Sequence, residues 1–74
     1  MTTESASLWS IIRSSAARKH AQLGVDGLTA FATAVTENQA IAIKAMKADG
    51  QSDEEIAAQL RNYSQKASRA TVPA

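Results

Sequence analysis

The side chains best suited to catalysis in this sequence are one histidine and a run of three carboxylates. His20 directly follows Lys19, whereas nucleophilic catalysis needs a nucleophile beside a base that a third group orients. A histidine among cations near a helix end is typical of a surface residue that complements the helix dipole. Asp53, Glu54 and Glu55 are consecutive, so on a helix they point in different directions and cannot flank one substrate bond. The sequence therefore predicts no catalytic residues and no enzymatic activity.

Metal and cofactor sites are not indicated either. The chain has no cysteine and one histidine, which excludes disulfides and thiolate metal sites and leaves too few nitrogen ligands for a metal cage. Its three glycines, Gly24, Gly27 and Gly50, fall at predicted helix boundaries rather than in a phosphate-binding loop. We expect no metal, no cofactor and no small-molecule substrate.

The first predicted helix runs from about residue 7 to residue 23. Ser5 and Ser7 are competent N-caps, and Gly24 ends the helix after a last turn that carries cations. One face is apolar and should pack on the rest of the chain. This packing explains the tryptophan better than a membrane-surface helix would, because the cations of the helix point in three directions instead of forming one polar face. The residues of this face are Leu8, Trp9, Ile12, Ala16 and Leu23.

The second predicted helix runs from about residue 28 to residue 48, after a turn in which Asp26 is the expected cap. It contains no glycine or proline, and its apolar arc is wider than one neighbouring helix needs. The main stripe consists of Leu28, Phe31, Ala32, Val35, Ala42, Ile43 and Met46, and the second strip consists of Ala30, Ala34, Ile41, Ala45 and Ala48.

The third predicted helix runs from about residue 53 to residue 69. Ser52 and Glu55 have the spacing of a capping box, and the acidic first turn complements the helix dipole. A narrow apolar stripe follows at Ile56, Leu60, Tyr63 and Ala67. We predict an all-α fold in one domain over residues 1–74, either a small three-helix bundle or a helical hairpin plus a third helix, with frayed termini at 1–6 and 70–74.

The small size of the chain suggests that something outside it completes the fold. Its 74 residues bury only about 60% of the surface that the unfolded chain exposes, and domains of this size usually need a staple. With disulfides and metals excluded, association with a partner or with its own copy remains.

The net charge is only +1. The first residues lack a basic, apolar leader and no stretch is apolar enough to span a membrane, so we expect a cytoplasmic protein.

The wide apolar arc of the second helix favours a protein-interaction module, such as a subunit, adaptor or inhibitor, that docks this surface on a partner protein or on its own copy. The alternative for this surface is that the first and third helices cover both strips within one bundle. The candidate partner-binding residues are Trp9, Phe31, Ala34, Ile41, Ala45, Met46 and Tyr63.

A second interpretation is a nucleic-acid-binding regulator. Residues 50–60 resemble the first helix of many helix-turn-helix motifs, which implies a turn at 61–63 and a short recognition helix after it. The residues that would touch bases and phosphates are then Arg61, Gln65, Lys66 and Arg69. The apolar stripe of the third helix runs through this supposed turn, and the charge is far from strongly basic. An unbroken helix from 53 to 69 would count against this interpretation.

Overall fold

A computed structural model describes residues 3–68, and within them the chain is all-helical, as predicted. This described part has four helices rather than three: α1 is Thr3–Leu23, α2 is Gly27–Glu37, α3 is Gln39–Ala48 and α4 is Asp53–Ser68. The predicted frayed segment 70–74 and the last residue of the predicted third helix, Arg69, lie outside the described residues. None of the described helices combines the length and apolar character that crossing a membrane requires.

The predicted start of the first helix and the predicted fraying of residues 3–6 were wrong, because α1 begins at Thr3 rather than near residue 7. A contact far along the chain holds the extra turn. The hydroxyl of Ser5, which has no solvent exposure, donates a hydrogen bond to the carboxylate of Asp49. Glu4 also lies in the first turn, where its charge complements the helix dipole.

The prediction of one continuous second helix was also wrong, because Asn38 separates α2 from α3 with φ −114° and ψ 43°. Its side-chain Nδ2 donates to the carbonyl oxygen of Ala34 at 2.8 Å and to the hydroxyl of Ser15 at 3.3 Å. An asparagine side chain that bonds to the backbone in this way competes with regular helix geometry. The interruption therefore needs neither glycine nor proline.

The predicted caps of the second and last helices are confirmed, whereas Ser5 and Ser7, the predicted N-caps of the first helix, lie inside α1. Asp26 accepts a hydrogen bond from the backbone N–H of Thr29 at 2.7 Å. Ser52 and Glu55 form the reciprocal capping box, with N-to-O distances of 3.0 Å and 3.2 Å. Gly24 ends α1 with a φ of 66°, a left-handed conformation that glycine adopts without steric cost.

The core lies where α1 packs on both α2 and α3, and where α4 packs mainly on α2. Within residues 3–68, α1 and α4 do not pack on each other, so α2 lies between them. Most residues of the predicted stripes of the first and last helices face this core, whereas Leu23, at the end of the stripe on the first helix, is exposed. Its buried residues are Ile12, Ala34, Val35, Ala42, Met46 and Ile56.

Candidate protein-interaction surface

Three of the predicted partner-binding residues belong to the core of the chain itself. Ala34, Ala45 and Met46 each have 0% exposed surface. A partner could touch them only if the helices separated. The predicted contact through these three is therefore corrected: the neighbouring helices enclose them, because α1 and α4 pack on two sides of α2 and α1 extends over α3.

The rest of the second strip leaves little apolar surface open. Ala30 is 1% exposed, and Ile41 and Ala48 are half-buried. Ile41 packs against the buried core cluster. Most of this surface is therefore covered by the other helices, which is the alternative that the sequence left open.

The three aromatic candidates form a half-buried row that links three helices. The rings of Trp9 and Phe31 are stacked, with centroids 6.0 Å apart and planes at 27°. Phe31 meets Tyr63 edge-on, with centroids 5.7 Å apart and planes at 62°. All three rings pack against the core cluster. Their contacts within the chain thus account for most of their surface, and they are partly accessible at most.

Asp49, which the sequence did not single out, holds the start of α1 in place. Its carboxylate accepts hydrogen bonds from the Ser5 hydroxyl and, at 2.8 Å, from Nε1 of Trp9. These two donors, Ser5 first, lower the pKa of Asp49 because they stabilise its ionised form. Asp49 is also the C-cap residue of α3. One carboxylate thus joins the first two turns of α1 to the turn between α3 and α4.

Among residues 3–68, the large apolar side chains that remain exposed lie on the α1–α2 hairpin. Ile11 is 48% exposed, Leu23 is 47% exposed and Leu28 is 58% exposed. Leu23 and Leu28 flank the turn that joins the two helices. His20 braces this turn, because its Nδ1 lies 2.6 Å from the carbonyl oxygen of Val25. Since a carbonyl can only accept, this nitrogen carries the proton.

Leu23 and Leu28 lie on the same helix faces as side chains that are buried nearer the middle of each helix. Leu23 is eleven residues after Ile12, and Leu28 is seven residues before Val35. These spacings place each pair within about 20° on a helix. Both Ile12 and Val35 are 0% exposed. The apolar faces of α1 and α2 therefore run past the covered part of the bundle and end in solvent. We name Leu23 and Leu28 the hairpin end.

The helix-turn-helix arrangement is not present in α4. The helix continues from Asp53 to Ser68 without a break, so the turn expected at 61–63 is helical. Arg61 and Gln65 are exposed and Lys66 is half-buried, while Arg69 lies outside the described residues. The continuous helix α4 therefore leaves no separate recognition helix within the described chain.

A groove between α2 and α4 has none of the features of a built ligand site. Its lining residues are Thr33, Thr36, Glu37, Ser64, Ala67 and Ser68. The hydroxyls of Thr33 and Thr36 donate to carbonyl oxygens one turn earlier, both at 2.9 Å, and Glu37 forms an ion pair with Lys19 at 2.8 Å. No cluster of potential metal ligands occurs among residues 3–68.

No family model, no curated protein and no solved structure matches this chain.

Proposed function

We propose that this chain is a small non-enzymatic module that binds another protein through apolar side chains left open on the α1–α2 hairpin. The observation that supports the proposal most directly is the exposure of the hairpin end, where Leu23 and Leu28 are 47% and 58% exposed. A single exposed apolar side chain is ordinary in a monomer. Two that extend the core-facing lines of adjacent helices form a surface that an apolar partner would complete.

The energetic argument concerns apolar area that the folded chain leaves in water. Full burial of a leucine side chain contributes about 1.5–3 kcal/mol relative to full exposure. Since Leu23 and Leu28 are each about half exposed, roughly 1 kcal/mol per side chain is available to a partner that covers them. The partner chemistry that fits is a protein surface with an apolar patch of its own.

Three of the groups capable of chemistry have structural tasks, which supports a non-enzymatic role. His20 braces the α1–α2 turn, Asp49 holds the start of α1 and Glu55 caps α4. A catalytic constellation needs a nucleophile, a base and an orienting group that share one site. These three groups instead hold three different helix ends.

The test places a photo-crosslinking amino acid at position 28 in cells that express the chain, and at exposed Ala57 on α4 as the matched control. We expect a discrete protein adduct from position 28 and none from position 57. The captured protein is then purified, and its affinity is measured for the chain and for a Leu23→Ser, Leu28→Ser double variant.

The double variant should bind the purified partner at least about tenfold more weakly, since two half-exposed leucines together offer roughly 1.4 kcal/mol or more. It should keep the helical circular dichroism of the parent chain. Equal adducts from positions 28 and 57, or unchanged affinity of the double variant, would contradict the proposal.

A further inference from the structure

A second open surface lies on the outward side of α1. Ile11 is 48% exposed, and exposed charges lie seven residues to either side of it, Glu4 before and Arg18 after. Seven residues are nearly two helical turns, so these three side chains form one line with neighbours about 10 Å apart. Ser7 and Ser14 lie beside this line and are exposed. We name these five residues the α1 outer face.

The two charges of the α1 outer face have no opposite charge bound to them among residues 3–68, where the ion pair found joins Lys19 to Glu37. Glu4 and Arg18 also cannot pair with each other, because fourteen residues of helix separate them by about 21 Å. The face therefore presents an apolar centre with a negative charge at one end and a positive charge at the other.

We propose that the α1 outer face binds the same face of a second copy of this chain, with the two α1 helices antiparallel and Ile11 at the two-fold axis. A two-fold contact must be self-complementary. Charges of opposite sign at equal distances from the centre meet that requirement, since Glu4 lies opposite Arg18 of the partner subunit and Arg18 lies opposite Glu4 of the partner subunit. That the partner is a protein rests on the proposed function. For this face, we specify that protein as a second copy of the chain.

The side chains between the charges suit a close approach of two helices. Ser7 and Ser14 are small, so helix axes can come within the usual 8–10 Å. At that distance each Ile11 covers the other. Antiparallel helices also place opposite dipole ends together. One helix from each copy makes a small interface, which fits reversible association in the micromolar to millimolar range.

The first experiment measures self-association of the full chain by sedimentation equilibrium, from about 10 µM to about 1 mM at low salt, where exposed charges are least screened. We expect a monomer–dimer equilibrium. Glu4→Arg and Arg18→Glu should each weaken it about tenfold, because each places like charges opposite one another twice per dimer. The double variant E4R/R18E should restore the dissociation constant to within about threefold, and R13E, the same charge change elsewhere on α1, should leave it unchanged.

A wild-type chain that stays monomeric at 1 mM would overturn the self-pairing, and so would a double variant that does not recover or an R13E variant that weakens association equally. The hairpin end is tested separately by its own partner and its own leucines. Failure of the dimer therefore leaves the binding measured there unaffected, and loss of that binding leaves the sedimentation result unaffected.

A second measurement covers the case in which a charge variant fails to fold. The chain has no cysteine, so a single introduced thiol reports one position. Ile11→Cys should form an intermolecular disulfide at least about tenfold faster than Asn62→Cys, which places the thiol on the exposed side of α4. Equal rates would mean random collision and would refute the proposed contact.

Discussion

Replacing Met46 by alanine tests whether the predicted partner-binding strips are core. The Met46 side chain is 0% exposed and packs in the central cluster. Truncating a buried methionine to alanine costs about 2–5 kcal/mol through lost burial and the remaining cavity. Chains of 74 residues have a free energy of unfolding of roughly 4–11 kcal/mol at 0.05–0.15 kcal/mol per residue. The variant should therefore lose a large fraction of its stability.

The assay is urea unfolding of wild type and Met46→Ala, monitored by helical circular dichroism and by the fluorescence of Trp9. The matched control is Leu28→Ala, which removes a large apolar side chain that is 58% exposed and should cost about 1 kcal/mol or less. The loss for Met46→Ala should be the same at about 5 µM and about 200 µM, since the side chain is buried within one copy. A loss below about 1 kcal/mol, or one that depends on concentration, would refute the assignment of Met46 to the core of the monomer.

Four further substitutions test local interactions of the fold. Because the pKa of Asp49 is lowered in the folded chain, its ionised form stabilises the fold above the pKa of the unfolded chain. This stabilisation is lost as pH falls through the folded-state pKa. In urea titrations between about pH 5 and pH 2, Asp49→Asn should therefore make the free energy of unfolding depend less on pH. An unchanged pH dependence would contradict the role of Asp49. Ser52→Ala removes half of the capping box and should lower the free energy of unfolding by about 1 kcal/mol, or Tm by about 4–8 °C in a thermal melt, whereas an unaltered Tm would show that α4 needs no cap. In the same melt, Gly24→Ala should lower the free energy of unfolding by about 1 kcal/mol because φ is 66° there. Gly27→Ala, where an added Cβ meets open space, should be neutral or stabilising. Equal effects of the two substitutions would rule out the conformational explanation.

The features set by neighbouring residues were predictable from the sequence. Ser52 and Glu55 form the capping box that their spacing indicates, and Asp26 caps α2. Ile56 is buried on the predicted stripe of the last helix. The caps depend on contacts within about one helical turn, and the face that buries Ile56 follows from helical periodicity.

The features set by distant contacts were not predictable in the same way. Ser5 binds Asp49 across 44 positions, and no local pattern shows that this pair extends α1 to Thr3. The interruption at Asn38 depends on Ser15 of another helix as well as on its own backbone bond. Whether the alanines of α2 and α3 face a partner or the core was decided by the placement of α1 and α4, which periodicity does not contain.

The most direct test of where this protein makes contact is a dilution series of ¹⁵N–¹H correlation spectra of the full chain, from about 1 mM to about 20 µM. Our account predicts concentration-dependent shifts at Ser7, Ile11 and Ser14, with the amides of Ala45 and Met46 unchanged. Shifts centred on Ala45 and Met46, or spectra that do not change at any concentration, would contradict it.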